Sequence, residues 1–122
     1  MIPPIFAVCS ADAAVKSLLG DSPVRLYPFG LQDDVKVYPY AVWQNIPGGG
    51  PENYLNQRPD ADKYSLQVDI YGDTPIQSMN VARALRDAIE GKAYITRWGD
   101  QKRDPETKRY RYSFDVDWIV SR

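Results

Sequence analysis

Three carboxylates sit where they could act together. Asp115 and Asp117 project from one side of a strand, and Asp69 lies in a second strand able to sit beside it. Three carboxylates at strand spacing could hold Mg²⁺ for metal-assisted phosphoryl chemistry. The alternative is that they are solvated, or pair across strands with Arg97 and Arg111. The chain has no histidine, so the commonest general base and the usual Cys/His zinc sites are missing. No catalytic, cofactor or metal residue is assigned, and the residues point away from an enzyme.

Residues 97–111 carry Arg97, Lys102, Arg103, Lys108, Arg109 and Arg111 beside Trp98 and Tyr110. Basic residues interleaved with aromatics suit a single-stranded nucleic-acid groove. Asp100, Asp104 and Glu106 offset half of that charge, and a charged hairpin tip is ordinarily just solvated. Gly48-Gly49-Gly50 lacks the Lys-Ser/Thr and helix start of a phosphate loop. Cys9 lies on an apolar helix face with no base nearby in sequence, which makes it a core residue rather than a nucleophile.

The 122 residues suffice for a single domain spanning 1–122. A lone cysteine excludes an internal disulfide. The start lacks the charged region of a signal peptide, and no apolar run approaches the ~20 residues of a membrane span, so a cytoplasmic chain without a membrane partner is expected. A net charge of −1 supplies no general attraction to nucleic acid. Nine tyrosines and three tryptophans exceed what so small a core needs, and both residue types favour protein interfaces.

The elements that would position these residues are legible from periodicity. In residues 64–71, Tyr64, Leu66, Val68 and Ile70 alternate with Ser65, Gln67 and Asp69, the signature of a half-buried strand. A helix follows. Thr74 and Gln77 form a capping box, Pro75 sits in the first turn, and Val81, Ala82, Leu85, Ala88 and Ile89 make the apolar stripe. Arg83 with Asp87 and Arg86 with Glu90 are i,i+4 pairs, and Gly91 can end the helix in a left-handed conformation. Residues 2–19 read as helix with a break near Ser10 and Asp12, ended by Gly20. Residues 24–29 form a short strand in which Pro28 implies a sheet edge or strand end. Residues 30–37 form a polar loop, and residues 39–46 a strand covered on both faces. Residues 93–98 and 110–120 pair as an antiparallel hairpin around a charged turn at 100–109. The last strand alternates Tyr110, Tyr112, Phe114, Val116, Trp118 and Val120 with polar residues, broken only by Ile119. The order α-β-β-β-α-β-β predicts an α+β fold: one mainly antiparallel sheet of about five strands, with helices on one face.

Residues 47–62 form a long connection without periodicity, a kind that is usually functional or mobile. Tyr54 and Leu55 give it apolar surface that wants a partner.

Met1-Ile2-Pro3-Pro4-Ile5-Phe6, Arg25-Leu26-Tyr27-Pro28, Pro39-Tyr40-Ala41-Val42-Trp43-Gln44, Pro51-Glu52-Asn53-Tyr54-Leu55 and the strand at 64–71 resemble the tail completion, or tail terminator, proteins of long-tailed bacteriophages. Asp104-Pro105-Glu106-Thr107 and the run at 110–116 continue the resemblance over almost the whole chain. It implies a structural virion protein that caps the head-proximal end of the tail tube as a homo-hexameric ring. It further implies that the ring ends tube polymerisation and provides the surface for head–tail joining. The implied partners are further copies of the chain, the tail tube protein and the head–tail connector protein, with DNA passing through the lumen without specific binding. Assembly would take place in the host cytoplasm. Another head–tail connector component and a nucleic-acid-binding module are the alternatives.

Such a ring repeats a contact in which one patch meets a different patch of the neighbour. The expected contacts come from the connection at 47–62 and the hairpin at 97–111. Tyr54, Leu55 and Trp98 are the candidate anchors, and Arg58 and Arg103 their charged partners. The connection at 47–62 is expected to order on binding.

Overall fold

The computed structural model describes residues 3–21, 23–30, 37–103, 105 and 108–122. Ile2, most of the polar loop (31–36) and the turn residues Asp104, Glu106 and Thr107 lie outside the described residues. The two clearest alternating runs become neighbouring antiparallel strands, β4 (Ala61–Gly72) and β6 (Tyr110–Ser121). Their register sets Leu66 beside Val116, Val68 beside Phe114 and Ile70 beside Tyr112. The odd and even positions therefore separate cleanly, with the apolar set on one side of the sheet.

β1 (Leu26–Pro28), β2 (Tyr40–Asn45), β3 (Gly50–Pro51) and β5 (Tyr94–Arg103) complete a six-stranded sheet ordered β1-β2-β4-β6-β5, with β3 paired to β4. Only β1 and β2 are parallel. Pro28 ends β1 at the sheet edge, where the missing N–H removes no ladder bond. Tyr40, Ala41, Val42 and Trp43 are all buried, so the start of β2 is covered on both faces as expected. The α+β fold follows, with α1 (Ile5–Ser10), α2 (Ala13–Leu19) and α3 (Pro75–Ile89) packed against the sheet.

The helices begin and end for local reasons. The Asp12 side chain accepts from the Val15 N–H at 3.1 Å and starts α2, so the break near Ser10 and Asp12 is real. Thr74 caps α3 by accepting from the Gln77 N–H at 3.1 Å. The Gln77 side chain reaches back one residue further than a capping box requires, accepting from the Asp73 N–H at 2.7 Å. The exit of α3 differs from expectation. Gly91 is not left-handed, Glu90 stays helical, and the N–H groups of Lys92 and Ala93 both donate to the Ile89 carbonyl at 2.8 and 2.9 Å. Arg86 makes the expected contact with Glu90 at 3.6 Å but also takes Asp87 at 2.9 Å, in place of Arg83.

The outer hairpin is longer than its composition suggests. β5 does not stop at Gly99 but runs to Arg103, with register shifts between Ile95 and Arg97 and between Trp98 and Gln101. Irregularities of that kind let a strand continue through residues that read as a turn.

α3 lies over β4 and β6, and its Val81, Leu85 and Ile89 are fully buried with Leu66, Val68, Ile70, Phe114 and Val116. Ile5, Cys9, Val15 and Leu19 extend this core under α1 and α2. Each large side chain so buried contributes about 1.5–3 kcal/mol. No helix among the described residues is long and apolar enough to cross a membrane.

Phe114→Ala should cost about 3–5 kcal/mol, read from denaturant unfolding, because Phe114 is fully buried under α3. Burial, with Asp12 adding to it, pushes the Cys9 thiol up to about 12. A thiol reagent at neutral pH should therefore label Cys9 only at the rate of unfolding, and rapid labelling of the native protein would contradict its placement.

Candidate assembly surfaces

The three carboxylates do share the sheet face opposite the helices, but each is already satisfied. Asp69 meets Arg111 at 3.1 Å and accepts from the Gln67 side-chain amide at 3.0 Å and from the Ser113 hydroxyl. Asp115 faces Arg97 at 3.5 Å. Asp117 meets Lys63 at 3.2 Å and accepts from the Ser65 hydroxyl at 2.8 Å. Cross-strand pairing is thus the use made of them, and the described residues form no cluster of three or more metal-ligating side chains.

The basic segment is likewise drawn into pairs rather than aligned as a groove. Arg109 binds Asp73 at 3.0 Å and lies over the Tyr38 ring at 4.5 Å. Arg103 lies 5.9 Å from the Tyr110 ring centre and donates to the Lys108 carbonyl at 3.3 Å. A continuous single-strand track needs cations left open to phosphates. Here Arg97, Arg109 and Arg111 are occupied by carboxylates.

The connection at 47–62 has more structure than its composition suggests. Gly50 pairs with Lys63 and Pro51 with Asp62, and the Glu52 N–H donates to the Ala61 carbonyl at 2.9 Å. Gly49 makes this possible, because a Cβ there would stand 2.6 Å from the Lys63 carbonyl oxygen. Arg122, just beyond β6, clasps the far side. Its guanidinium donates to both Asp62 oxygens at 2.8 and 3.1 Å and to the Pro59 carbonyl at 3.2 Å. Its N–H donates to the Asp60 carbonyl at 2.7 Å. The Tyr54 hydroxyl donates to Asp60 at 3.0 Å, and that carboxylate raises the phenol's pKa. Residues 53–60 bulge between these ties with Tyr54 49% and Leu55 101% exposed, and Arg58 exposed beside them.

A second apolar exposure lies elsewhere. Trp98, 48% exposed, contacts the rings of Tyr112 and Phe114 and so stands on the helix side of β5. Between it and α3 run two adjoining hollows of about 260 and 290 Å³ that share Met79 and Tyr112. Arg83 and Arg86 rim one hollow, and Lys102 and Arg103 the other.

The expected anchors therefore fall into separate groups. Tyr54, Leu55 and Arg58 sit at the end of the sheet where Ala61 pairs with Ser121. Arg103 sits near the opposite end, paired with Tyr110. The twelve residues of β4 span about 40 Å between the two ends. Sequence reading missed Arg122 and the groove. The signal for the groove was present in Ile76, Met79, Arg83 and Arg86, which recur at helical spacing beside the core stripe.

The three carboxylates are thus taken up in cross-strand pairs, and the exposed apolar groups lie at separate sites. The chain belongs to the tail completion protein gp17 family, whose model matches residues 3–121. It is accordingly a non-enzymatic structural component of the phage tail. A chain in the virion of the native gene transfer agent (GTA) particle superposes with a TM-score of 0.74 at 13% identity, over 97% of this chain and 92% of that one. The gp17 protein of bacteriophage SPP1 superposes with a TM-score of 0.58 at 10% identity, over 96% of this chain and 86% of that one. At such identities these likenesses concern the fold. A search of curated proteins by sequence gives no match.

The Arg122 clasp should respond to acid. Its hydrogen bonds hold the Asp62 carboxyl below the usual carboxylate range. The clasp is thus intact above the ordinary value and is lost as pH falls through the lowered one. Carboxyl NMR titration should show Asp62 moving back toward the ordinary value in Arg122→Ala, with faster amide exchange at 52–62. An unshifted Asp62 in the unaltered protein would refute the clasp.

Proposed function

We propose that residues 1–122 act as one unit that caps the head-proximal end of the tail tube as a homo-hexameric ring. In this reading the ring ends tube growth and presents the surface that the head–tail connector joins. Family membership over residues 3–121 supplies the setting. The observation that carries the ring is the pair of separated apolar exposures, Tyr54 and Leu55 on one side and Trp98 with Met79 on the other. A closed ring of identical subunits needs two different patches on each copy, and a lone subunit has no use for either.

Tyr54, Leu55 and Trp98 serve as anchors in this reading, with Arg58 and Arg103 as charged partners. The axial faces meet the tube protein and the connector. DNA crosses the lumen without specific binding, which suits a chain in which five of the nine arginines pair with carboxylates among the described residues. Assembly takes place in the host cytoplasm and the finished ring stays in the virion. A bundled anchor of this kind is worth about 2 kcal/mol or more when truncated.

Electron microscopy of particles made without this protein tests the reading. Tubes of uncontrolled length that carry no heads are expected. Tubes of normal length that still lack heads would instead indicate a connector component. Tyr54→Ala should reduce ring formation while leaving the unfolding free energy within about 0.5 kcal/mol, since the side chain is half exposed. Unchanged mass by light scattering together with unchanged tail length would remove Tyr54 from the interface.

A further inference from the structure

The two apolar exposures cannot satisfy each other within one subunit. Trp98 pairs with Phe114, which lies seven residues along β6 from Ser121, beside the base of the 47–62 hairpin. That separation is about 23 Å. Their chemistry is nevertheless complementary. Residues 47–62 carry three carboxylates, Glu52, Asp60 and Asp62, against one cation, Arg58; Arg122 takes up Asp62, whereas Glu52 has no ion-pair partner among the described residues. The groove between α3 and β5 is rimmed by Arg83, Arg86, Lys102 and Arg103 over a floor of Met79, Ala82 and Tyr112. Arg83 and Lys102 have no ion-pair partner among the described residues.

We infer that the Tyr54–Leu55 tip of one copy seats in the α3/β5 groove of the next copy, with Glu52 facing Arg83. The inference rests on the ring reading above and names the two patches that the ring joins. Leu55 is the apolar plug. It is wholly exposed, and no side chain among the described residues fills the hollow of about 260 Å³ beside Met79 and Trp98. The remaining positive rim steers the acidic hairpin and discourages a like-charged surface from docking there. The contact is head-to-tail, so the same joint repeats around an axis and can close. Leu55 stands on a hairpin tied at its base by Arg122 and across the bulge by the Tyr54 hydroxyl on Asp60, so the plug is presented already exposed.

The test uses thiol cross-linking, which the native protein permits because its single cysteine, Cys9, is buried. Leu55→Cys protein mixed with Met79→Cys protein, assembled on tubes and treated with a short bis-maleimide, should give covalent dimers. The double variant should give a ladder up to the full ring, and neither single variant alone should cross-link. Rings seen by electron microscopy without cross-links, or Leu55→Cys captured by the tube protein instead, would overturn the joint and leave the ring reading standing. No rings in any assembly would overturn both. As an independent readout, Glu52→Lys and Arg83→Glu should each weaken assembly about fivefold, and their combination should restore it. Additive losses in the combined variant would refute the proposed facing pair.

Discussion

Everything in this molecule depends on the antiparallel ladder between β4 and β6. Twelve residue pairs, from Ala61 with Ser121 to Gly72 with Tyr110, hold one register throughout. A slip of one residue would turn Leu66, Val68 and Ile70 to water and Ser65, Gln67 and Asp69 to the core. Burial of the apolar set under α3 forbids that slip. The polar set adds its own restraint, because Asp69 with Arg111 and Asp117 with Ser65 pair only in this alignment.

The same ladder decides where the working surfaces fall. One end of it carries the 47–62 hairpin and its Arg122 clasp. Along its flank, β5 is hydrogen-bonded to β6 on one side only and leaves the α3 groove open. The core elements pack on one another, while Tyr54 and Leu55 stand on a segment with little packing of its own. That division suits the assembly proposed above.

The carboxylates show how ambiguous residue types become decided. Asp69, Asp115 and Asp117 are equally suited to a metal ion and to cross-strand ion pairs. Which use prevails depends on the residues opposite them, and those are Ser113, Gln67 and Ser65, with Arg111, Arg97 and Lys63 within reach. A cation beside each carboxylate offsets the charge that would otherwise attract a metal. Arg97 and Arg111 of the outer hairpin are used up by the same pairing.

Periodicity determined the two long strands and the identity of most core residues, and capping residues the start of α3 at Thr74 and the break before α2. Side-chain direction in a strand or helix depends only on spacing, so these followed without knowledge of neighbours. The resemblance carried by the short motifs pointed to the family, and the family model agrees. Only the tertiary structure decided that β5 runs through Gly99, that Gly91 is not left-handed, and that residues 47–62 form a clasped hairpin. It also decided that Trp98 stands over a groove far from Tyr54. Each of these depends on contacts between residues distant in the chain, such as Arg122 with Asp62 or Trp98 with Tyr112. Such contacts arise from how the strands are laid side by side, and local spacing carries no record of that arrangement.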